Sequence, residues 1–539
     1  MAIMIYLGST EGDSLLGRRI RSTELPFREL LVKTLGNSDA QTLQNESTLA
    51  NINRINDMEF DRRKLASNRV CYYTHTVRNR RPFMLTEIEN AFITQTGPGT
   101  PMGEVMRRFW HPFLLSDELE ERDGTPVRVK LFSEELVAFR DTNGSVGLLQ
   151  ERCPHRGASL FFGINQECGL LCTYHGWKFD VNGICVDMAS DLPGSNTKTK
   201  VKAKAYPTYE SAGVLWTYMG PPDKQPPPPN FMFNNVPSEN VIAIRVPIYC
   251  NYLQGLEGNI DSTHLGTLHA RYEHAIPVDT HTDKPGYCSP DFTLYIQAKY
   301  RFAKIDVQDT DYGLRLIAIR PTDAGNQHVR INCHVLPYTT FIASQGMGSG
   351  VMMQVPIDDE NHMRFSIRYR VTEEMETGFQ PAERSTNNPQ GPSGHAPFTS
   401  EERQARRAVG MVMDPGDPKR RLKRADNDYM IDRKAQKEEF FAGITPVAEQ
   451  DYALIESMGS IYDRTQEYLY PGDGAIIRVR QMLSKLARNL QEGIEPLGLA
   501  QGVLTHKIRS EEMIVGPDDD PWLLAVDAGE SAKRGEHIL

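Results

Sequence analysis

The sequence predicts an α+β chain, in which an N-terminal all-β module is followed by a larger domain with an antiparallel sheet covered by helices. Three observations carry this reading. Between about 125 and 220, short apolar runs (Val127-Arg128-Val129, Leu136–Phe139, Val214–Tyr218) are punctuated by Asn143-Gly144 and Asn182-Gly183, both hairpin signals. Four consecutive prolines, Pro226 to Pro229, cannot be helical and form an extended linker. Beyond them, strand-like runs recur, and Ile476, Val479, Leu483, Leu486 and Leu490 repeat at helical spacing.

Taken in order, residues 1–83 are polar, with the cluster Arg78-Asn79-Arg80-Arg81 and little periodicity. They read either as an extension with little packed structure or as the product of a start codon assigned too early. The second reading is preferred, because Met84 opens the recognisable pattern; mass spectrometry of the native N-terminus showing residue 2 or 3 would end it. Thr86-Glu87-Ile88-Glu89 predicts a helix start. Gly97-Pro98-Gly99-Thr100-Pro101 predicts a turn before a helix over Met102–Phe109. Residues 84–225 are thus assigned to the β domain with flanking helices. Residues 226–500 form the second domain, with strands at Val241–Val246, Phe292–Tyr300, Leu314–Ile319, Val351–Val355 and Arg364–Val371, and a helical patch at 250–269. A polar segment, 372–425, reads as an excursion from the core whose charges are solvated. Residues 501–539 read as a tail.

Composition excludes several classes. With 39% apolar and 24% charged residues, the chain can build real cores. Its net charge of -10, 60 basic against 70 acidic residues, comes without a long basic run, so nucleic acid and anionic membrane are not expected partners. No 18-residue apolar stretch is present. Arg18-Arg19 has a twin-arginine look, but Glu24, Arg28 and Glu29 stand where an apolar stretch should follow. A cytoplasmic location is expected. The eight cysteines are scattered, which is not a disulfide framework. Six read as reduced, mostly buried thiols; Cys153 and Cys172 each have a histidine nearby.

Those two begin the first constellation, Cys153-Pro154-His155-Arg156-Gly157 and Cys172-Thr173-Tyr174-His175-Gly176-Trp177, with sixteen residues between His155 and Cys172. Thiolates and imidazoles together suit zinc, but zinc loops usually space the first pair wider than C-x-H. A C-x-H pair matched to C-x2-H fits a [2Fe–2S] cluster in which two histidines replace two cysteines on one iron. Gly157 and Gly176 suit sharp turns. This pattern resembles Rieske proteins. Ala158 and Tyr174 stand where the respiratory members carry an extra cysteine pair, so the resemblance is to the oxygenase type without that disulfide.

The second constellation is Glu257, Asp261, His264 and His269. On a continuous helix the first three share one face. His269 would point away from His264 unless the helix breaks, and Gly266 is the expected break. Taken alone, the two histidines are as well read as ordinary polar residues. Following the first motif by about 90 residues, however, D-x2-H-x4-H is similar to the catalytic domain of Rieske non-haem iron oxygenases. From Met84 to about Gly493 the chain resembles the α subunits of the phthalate dioxygenase branch, with Gly97–Gly103 and Arg107–Pro112 as further shared pieces.

The resemblance implies that His264, His269 and a distant carboxylate hold a mononuclear Fe(II), and that Asp261 hydrogen-bonds a histidine ligand and bridges toward the cluster of a neighbouring subunit. The role of Glu257 is left open. For the third ligand, the Glu456-Ser457-Met458 stretch favours Asp451; Asp428 (read as a helix N-cap), Asp432 (a solvated helix charge) and Asp463 are the rivals. The resemblance further implies a terminal oxygenase that uses O2 to dihydroxylate or monohydroxylate an aromatic, carboxylated substrate, with O-demethylation or ether cleavage as the alternative. It implies one [2Fe–2S] cluster at Cys153, His155, Cys172 and His175, and a homotrimer or hexamer. A separate NAD(P)H-dependent reductase, with or without a ferredoxin, must supply electrons, since no G-x-G-x-x-G fingerprint follows a strand. Arg271, Arg301, Arg315 and Arg320 are candidates for the substrate carboxylate, although a surface or strand-face cation is the commoner role. An electron carrier without oxygenase activity and a structural zinc protein are the remaining classes. A carrier would need only the β module, whereas some 300 residues follow it.

Overall fold

The computed structural model describes residues 84–521, apart from 273–282, 284, 289, 344–348, 372–396, 411–412, 415–416 and 500–504. Residues 1–83, with the expectations placed on them, lie outside that set.

The chain enters through α1 (Glu87–Thr94), where Thr86 and Glu89 form the reciprocal cap that the sequence signals. Thr100 caps α2 (Pro101–Met106), with Pro101 in its first turn. Both helices pack on α8 (Gly474–Gln491). They therefore sit on the catalytic side rather than flanking the β domain alone.

Three small antiparallel sheets follow. Trp110–Leu115 pairs with Val214–Tyr218, and that strand with Thr208–Ser211. Val127–Leu131, Glu134–Arg140, Val146–Gln150 and Ala205–Tyr206 make a second sheet, and Ile164–Gln166, Gly169–Leu171, Trp177–Phe179 and Cys185–Met188 a third. Both signalled hairpins form. Gly144 and Gly183 take φ of +88° and +77°, and a Cβ on Gly183 would stand 2.2 Å from the Ala203 carbonyl. The third sheet has its own small core around Val137, Leu160, Leu170 and Phe179.

The second domain is built on one antiparallel sheet in the order Val241–Ile248, His362–Tyr369, Ser349–Pro356, Thr339–Ile342, Gln327–Val335, Gly313–Pro321, Lys304–Asp309. Glu511–Val515 pairs with Gln327–Val335 and with Gly286–Tyr287. The expected tail therefore returns to the sheet. α3 (Tyr252–Ile260), α7 (Val447–Ser457) and α8 cover the functional region, α8 through the predicted stripe of Val479, Leu483 and Leu486. One apolar core runs from α1 and α2 through Trp216 and Phe233 to the large sheet. The amides of Phe132 and Ser133, at a β-domain turn, donate to the carbonyls of Pro356 and Ile357.

Two further expectations fail. The run Phe292–Tyr300 is not a strand; Pro290–Lys299 is helix α4. Phe292 and Ile296 are four apart and both buried in one cluster, a helical face that its β-branched and aromatic content disguised. The polar segment is not wholly an excursion either. Its Ser400–Gly410 stretch is α5, and Arg421, ending the strand Asp417–Arg421, is 1% exposed. α6 (Ala435–Glu438) follows.

Burial has a pH consequence. His111, His334 and His362 are 0% exposed, and desolvation holds them neutral, pushing them down to about 3, 4 and 4. The unfolded chain takes up protons at these histidines from about pH 6.5 downward, while the folded chain does not. Folding stability should fall by about 1.4 kcal/mol per histidine for each unit between pH 6.5 and 4, read as a falling thermal midpoint in scans across that range.

Candidate functional site

Two sets of side chains converge on possible metal positions. In the β domain, two loops fold alike. The amides of Gly157 and Gly176 donate to the carbonyls of Cys153 and Cys172, each at 2.9 Å, with φ of +74° and +72°. Each loop is closed from the other side, Cys153 N to Ala158 O and Cys172 N to Trp177 O. Two matching turns thus bring Cys153 and Cys172, both 3% exposed, beside His155 and His175, whose ring centroids lie 4.4 Å apart. Trp177 stacks on His155 at 4.4 Å. Burial, and then the neighbouring thiols, push Cys153 up to about 11, so the thiol needs a cation to ionise.

Both Nδ1 atoms, of His155 and His175, are buried without a hydrogen-bond partner. Buried imidazole nitrogens are rarely left so. Two thiols and two open Nδ1 atoms on paired fingertips are the donor set that a [2Fe–2S] cluster with one all-histidine iron requires. The residues fit the group. Among the described residues, Cys153, Cys168, Cys172, Cys185, Cys250, Cys288 and Cys333 form no disulfide.

The second set lies where α3 ends. The helix stops at Ile260 rather than continuing to Gly266, so Glu257, Asp261 and His264 do not share a helical face. Asp261 stops it: its Oδ1 accepts from the backbone N and the hydroxyl of Thr263, both at 2.6 Å, a local turn that competes with the next helical bond. Gly266 serves a different need, since a Cβ there would lie 2.6 Å from the Gln297 carbonyl on α4. Arg320, 0% exposed, donates to the Ser262 carbonyl at 2.6 Å and ties this turn to the sheet.

The turn lets both histidines reach one carboxylate. His264 Nε2 and His269 Nε2 lie 3.7 and 3.1 Å from Asp451 Oδ1, contributed by α7. One donor atom from each residue falls within 4.8 Å of the others. The far nitrogens are held: His264 Nδ1 lies 3.3 Å from Asp261 Oδ2, and His269 Nδ1 donates to Gln450 Oε1 at 2.7 Å. Each histidine thereby presents Nε2 inward. Burial would raise the Asp451 carboxyl, but His269 and His264 beside it hold it below its ordinary range. Two imidazoles and one carboxylate on one side of a point suit an octahedral divalent metal with open positions, as in ferrous oxygenases. They fit such an ion.

The rivals of Asp451 are occupied elsewhere. Asp432 is exposed, as expected, and its carboxylate accepts the amides of Lys434 and Ala435 ahead of α6. Asp428 is not a cap; it sits at φ +48° inside a short turn. Asp463 accepts from Thr465 in an exposed turn. Glu257 is half-buried between Arg464 (2.8 Å) and Arg480 (2.6 Å), an ion-pair role. Among the candidate arginines, Arg271 and Arg301 are exposed, Arg315 bonds Gln308, and Arg320 serves the turn. Gln450 escaped the sequence reading, although it adjoins Asp451. Arg330 escaped it too, and nothing in its strand context marks it.

The comparisons place this arrangement. The Rieske [2Fe–2S] domain family matches residues 109–201, and the family described as "LigXa C-terminal domain like" matches 217–381 and 395–536. A phthalate 4,5-dioxygenase oxygenase subunit of Pseudomonas putida is 34% identical over 81% of this chain and 94% of that protein. A 3-chlorobenzoate-3,4-dioxygenase oxygenase subunit of Comamonas testosteroni is 36% identical over 74% and 88%. A 5,5'-dehydrodivanillate O-demethylase oxygenase subunit of Sphingobium sp. is 30% identical over 79% and 85%. A Rieske β domain joined to a catalytic domain of this type defines an oxygenase component. This chain belongs to the Rieske non-haem iron oxygenases, in the phthalate dioxygenase-like branch, and acts as the terminal oxygenase of such a system.

Proposed function

We propose that His264, His269 and Asp451 hold a mononuclear Fe(II), that Cys153, His155, Cys172 and His175 hold the [2Fe–2S] cluster, and that the substrate is an aromatic carboxylate. The observation that carries the first part is the convergence of two Nε2 atoms on one oxygen of Asp451. When bound, the cluster supplies electrons singly and the ferrous ion activates O2. The chain's residues do the rest. Gln450 and Asp261 fix the tautomers of His269 and His264, and the Arg320 link sets the height of the turn that carries His264.

Arg330 supports the carboxylate. It is buried, its Nε has no partner while Nη2 donates to the Ala343 carbonyl at 3.0 Å, and its charge is felt at both His269 and Glu512. Arg330→Gln should raise KM for a carboxylated ring by about 10- to 100-fold, from the loss of one charge-assisted bond, and leave a neutral analogue little changed. Equal effects on both would exclude the pairing.

The Rieske domain spans 84–225 and the catalytic domain 226–500, to which the strand Glu511–Val515 is added. Electrons are taken from an NAD(P)H-dependent reductase, directly or through a ferredoxin, and subunits associate as a homotrimer or hexamer. Asp261 then carries the path between centres. Asp261→Asn should keep both metal sites and slow single-turnover electron transfer roughly 10- to 100-fold; an unchanged rate would remove Asp261 from the path.

The similarity to an O-demethylase oxygenase subunit supports a second reading, demethylation of an aryl methyl ether, which would release formaldehyde where ring hydroxylation releases none. Iron and acid-labile sulfide per chain, measured on anaerobically purified protein, test the presence of the two metal centres. Three irons with two sulfides support it. Two irons with two sulfides after Fe(II) reloading would leave an electron carrier.

A further inference from the structure

Behind Asp451 lies a small chamber sized for about one water, lined by Asn259, Gln354, His362, Arg364, Tyr452 and Asp451 among others. Four polar atoms around it are buried and have no partner: Asn259 Nδ2, Gln354 Oε1, His362 Nε2 and Arg364 Nε. Gln354, His362 and Arg364 are 2%, 0% and 5% exposed. Four such atoms around one chamber are far from the usual scatter of unsatisfied groups.

Their chemistry is complementary. His362 Nδ1 faces the Cys250 carbonyl at 2.7 Å, and a carbonyl only accepts, so Nδ1 carries the proton and Nε2 presents a lone pair. Burial keeps that ring neutral. Gln354 uses its NH2 toward the Gly255 carbonyl, at 3.4 Å, which leaves Oε1 as an acceptor. Asn259 Nδ2 and Arg364 Nε can only donate. Two acceptors and two donors therefore surround the chamber, and a water molecule offers two of each. Gly255 keeps it open: a Cβ there would lie 2.6 Å from His362 Nε2 and 3.0 Å from Gln354 Cδ.

We propose that a resident water molecule occupies this chamber, donating to His362 Nε2 and Gln354 Oε1 and accepting from Asn259 Nδ2 and Arg364 Nε. The water ties together two sides of the metal site. Asn259 precedes Asp261 by two residues at the end of α3. Arg364 lies over the Tyr452 ring at 5.0 Å, and its charge helps hold the Asp451 carboxyl low. Asn259, Gln354, His362 and Arg364 are thus positioning residues, acting on Asp451 and the His264 turn through one shared hydrogen-bond centre. This positioning role, though not the water site itself, rests on Asp451 being a metal ligand.

A crystal structure of the holoenzyme, resolved well enough to place ordered water, decides the site. A fully occupied water within hydrogen-bond distance of the four atoms is expected; a dry chamber, or side chains paired with each other, overturns the proposal. The role is read from loss of mononuclear iron to a chelator. Gln354→Met, which removes one acceptor at similar volume, should speed that loss several-fold with the visible [2Fe–2S] spectrum unchanged, and Gln354→Glu, which keeps an acceptor, should restore the slow loss. Equal rates in wild type and Gln354→Met overturn the positioning role. A wild type that binds no mononuclear iron after reloading would refute the metal reading instead, and the water density would still decide the chamber.

Discussion

Asp451→Ala is expected to abolish oxygenation while leaving the protein red-brown. The two candidate centres stand on separate elements, one on paired loops of a small β sheet and the other between the end of α3 and α7. Asp451 is the point where His264 and His269 meet, and it supplies the only negative charge among the three donors. Without it, two neutral imidazoles remain on a short turn, too few to retain a ferrous ion against water. Iron should fall from three to two per chain with sulfide unchanged, and turnover should fall to background. Folding should be modestly destabilised, because His269 and His264 hold this carboxyl below its ordinary range and the alanine forfeits that stabilisation. His264→Ala should give the same pattern. Full mononuclear iron and turnover in Asp451→Ala would move the third ligand elsewhere.

The sequence showed both constellations because their chemistry is local. Cys153-Pro-His155 and Cys172-Thr-Tyr-His175 each fit in one turn, and His264 lies five residues from His269, so spacing alone narrows the possibilities. Asp451 needed the resemblance, since it lies 182 positions beyond His269 and nothing nearby distinguishes it from Asp432 or Asp463. The break of α3 was expected at Gly266, because glycine is the usual breaker. A side-chain turn at Asp261 took precedence, and Gly266 answers instead to the close approach of α4. α4 itself read as a strand because its composition is β-like, while its buried pair, Phe292 and Ile296, keeps helical spacing. The unpartnered atoms of Asn259, Gln354, His362 and Arg364 come from a helix and two strands, and no linear pattern assembles them.

Arg421→Ala is expected to be the most destabilising single substitution outside the metal ligands. The residue falls in a stretch whose composition reads as solvated surface, yet it is 1% exposed. It pairs with Glu449 at 3.0 Å and with Glu456, and its guanidinium lies 4.9 Å from the Tyr452 ring centroid. Both glutamates are on α7, flanking Asp451 by two residues on one side and five on the other. Glu456 also accepts from the Tyr429 hydroxyl at 2.7 Å and the Tyr249 amide at 3.0 Å. Removing the cation leaves two carboxylates, 5% and 4% exposed, with no counter-charge between them. Breaking one side of a buried pair costs about 3–5 kcal/mol, which in a domain of this size lowers the thermal midpoint by about 2–4 °C for each kcal/mol. Arg421→Met with Glu449→Gln and Glu456→Gln should recover most of that loss, since replacing a whole buried ion group is far milder than orphaning part of it. Mononuclear iron should be lost from Arg421→Ala more readily than the cluster, because the clamp acts on the helix of Asp451 and touches neither cysteine loop. A variant with wild-type midpoint and iron retention would show that α7 is held by its apolar face alone.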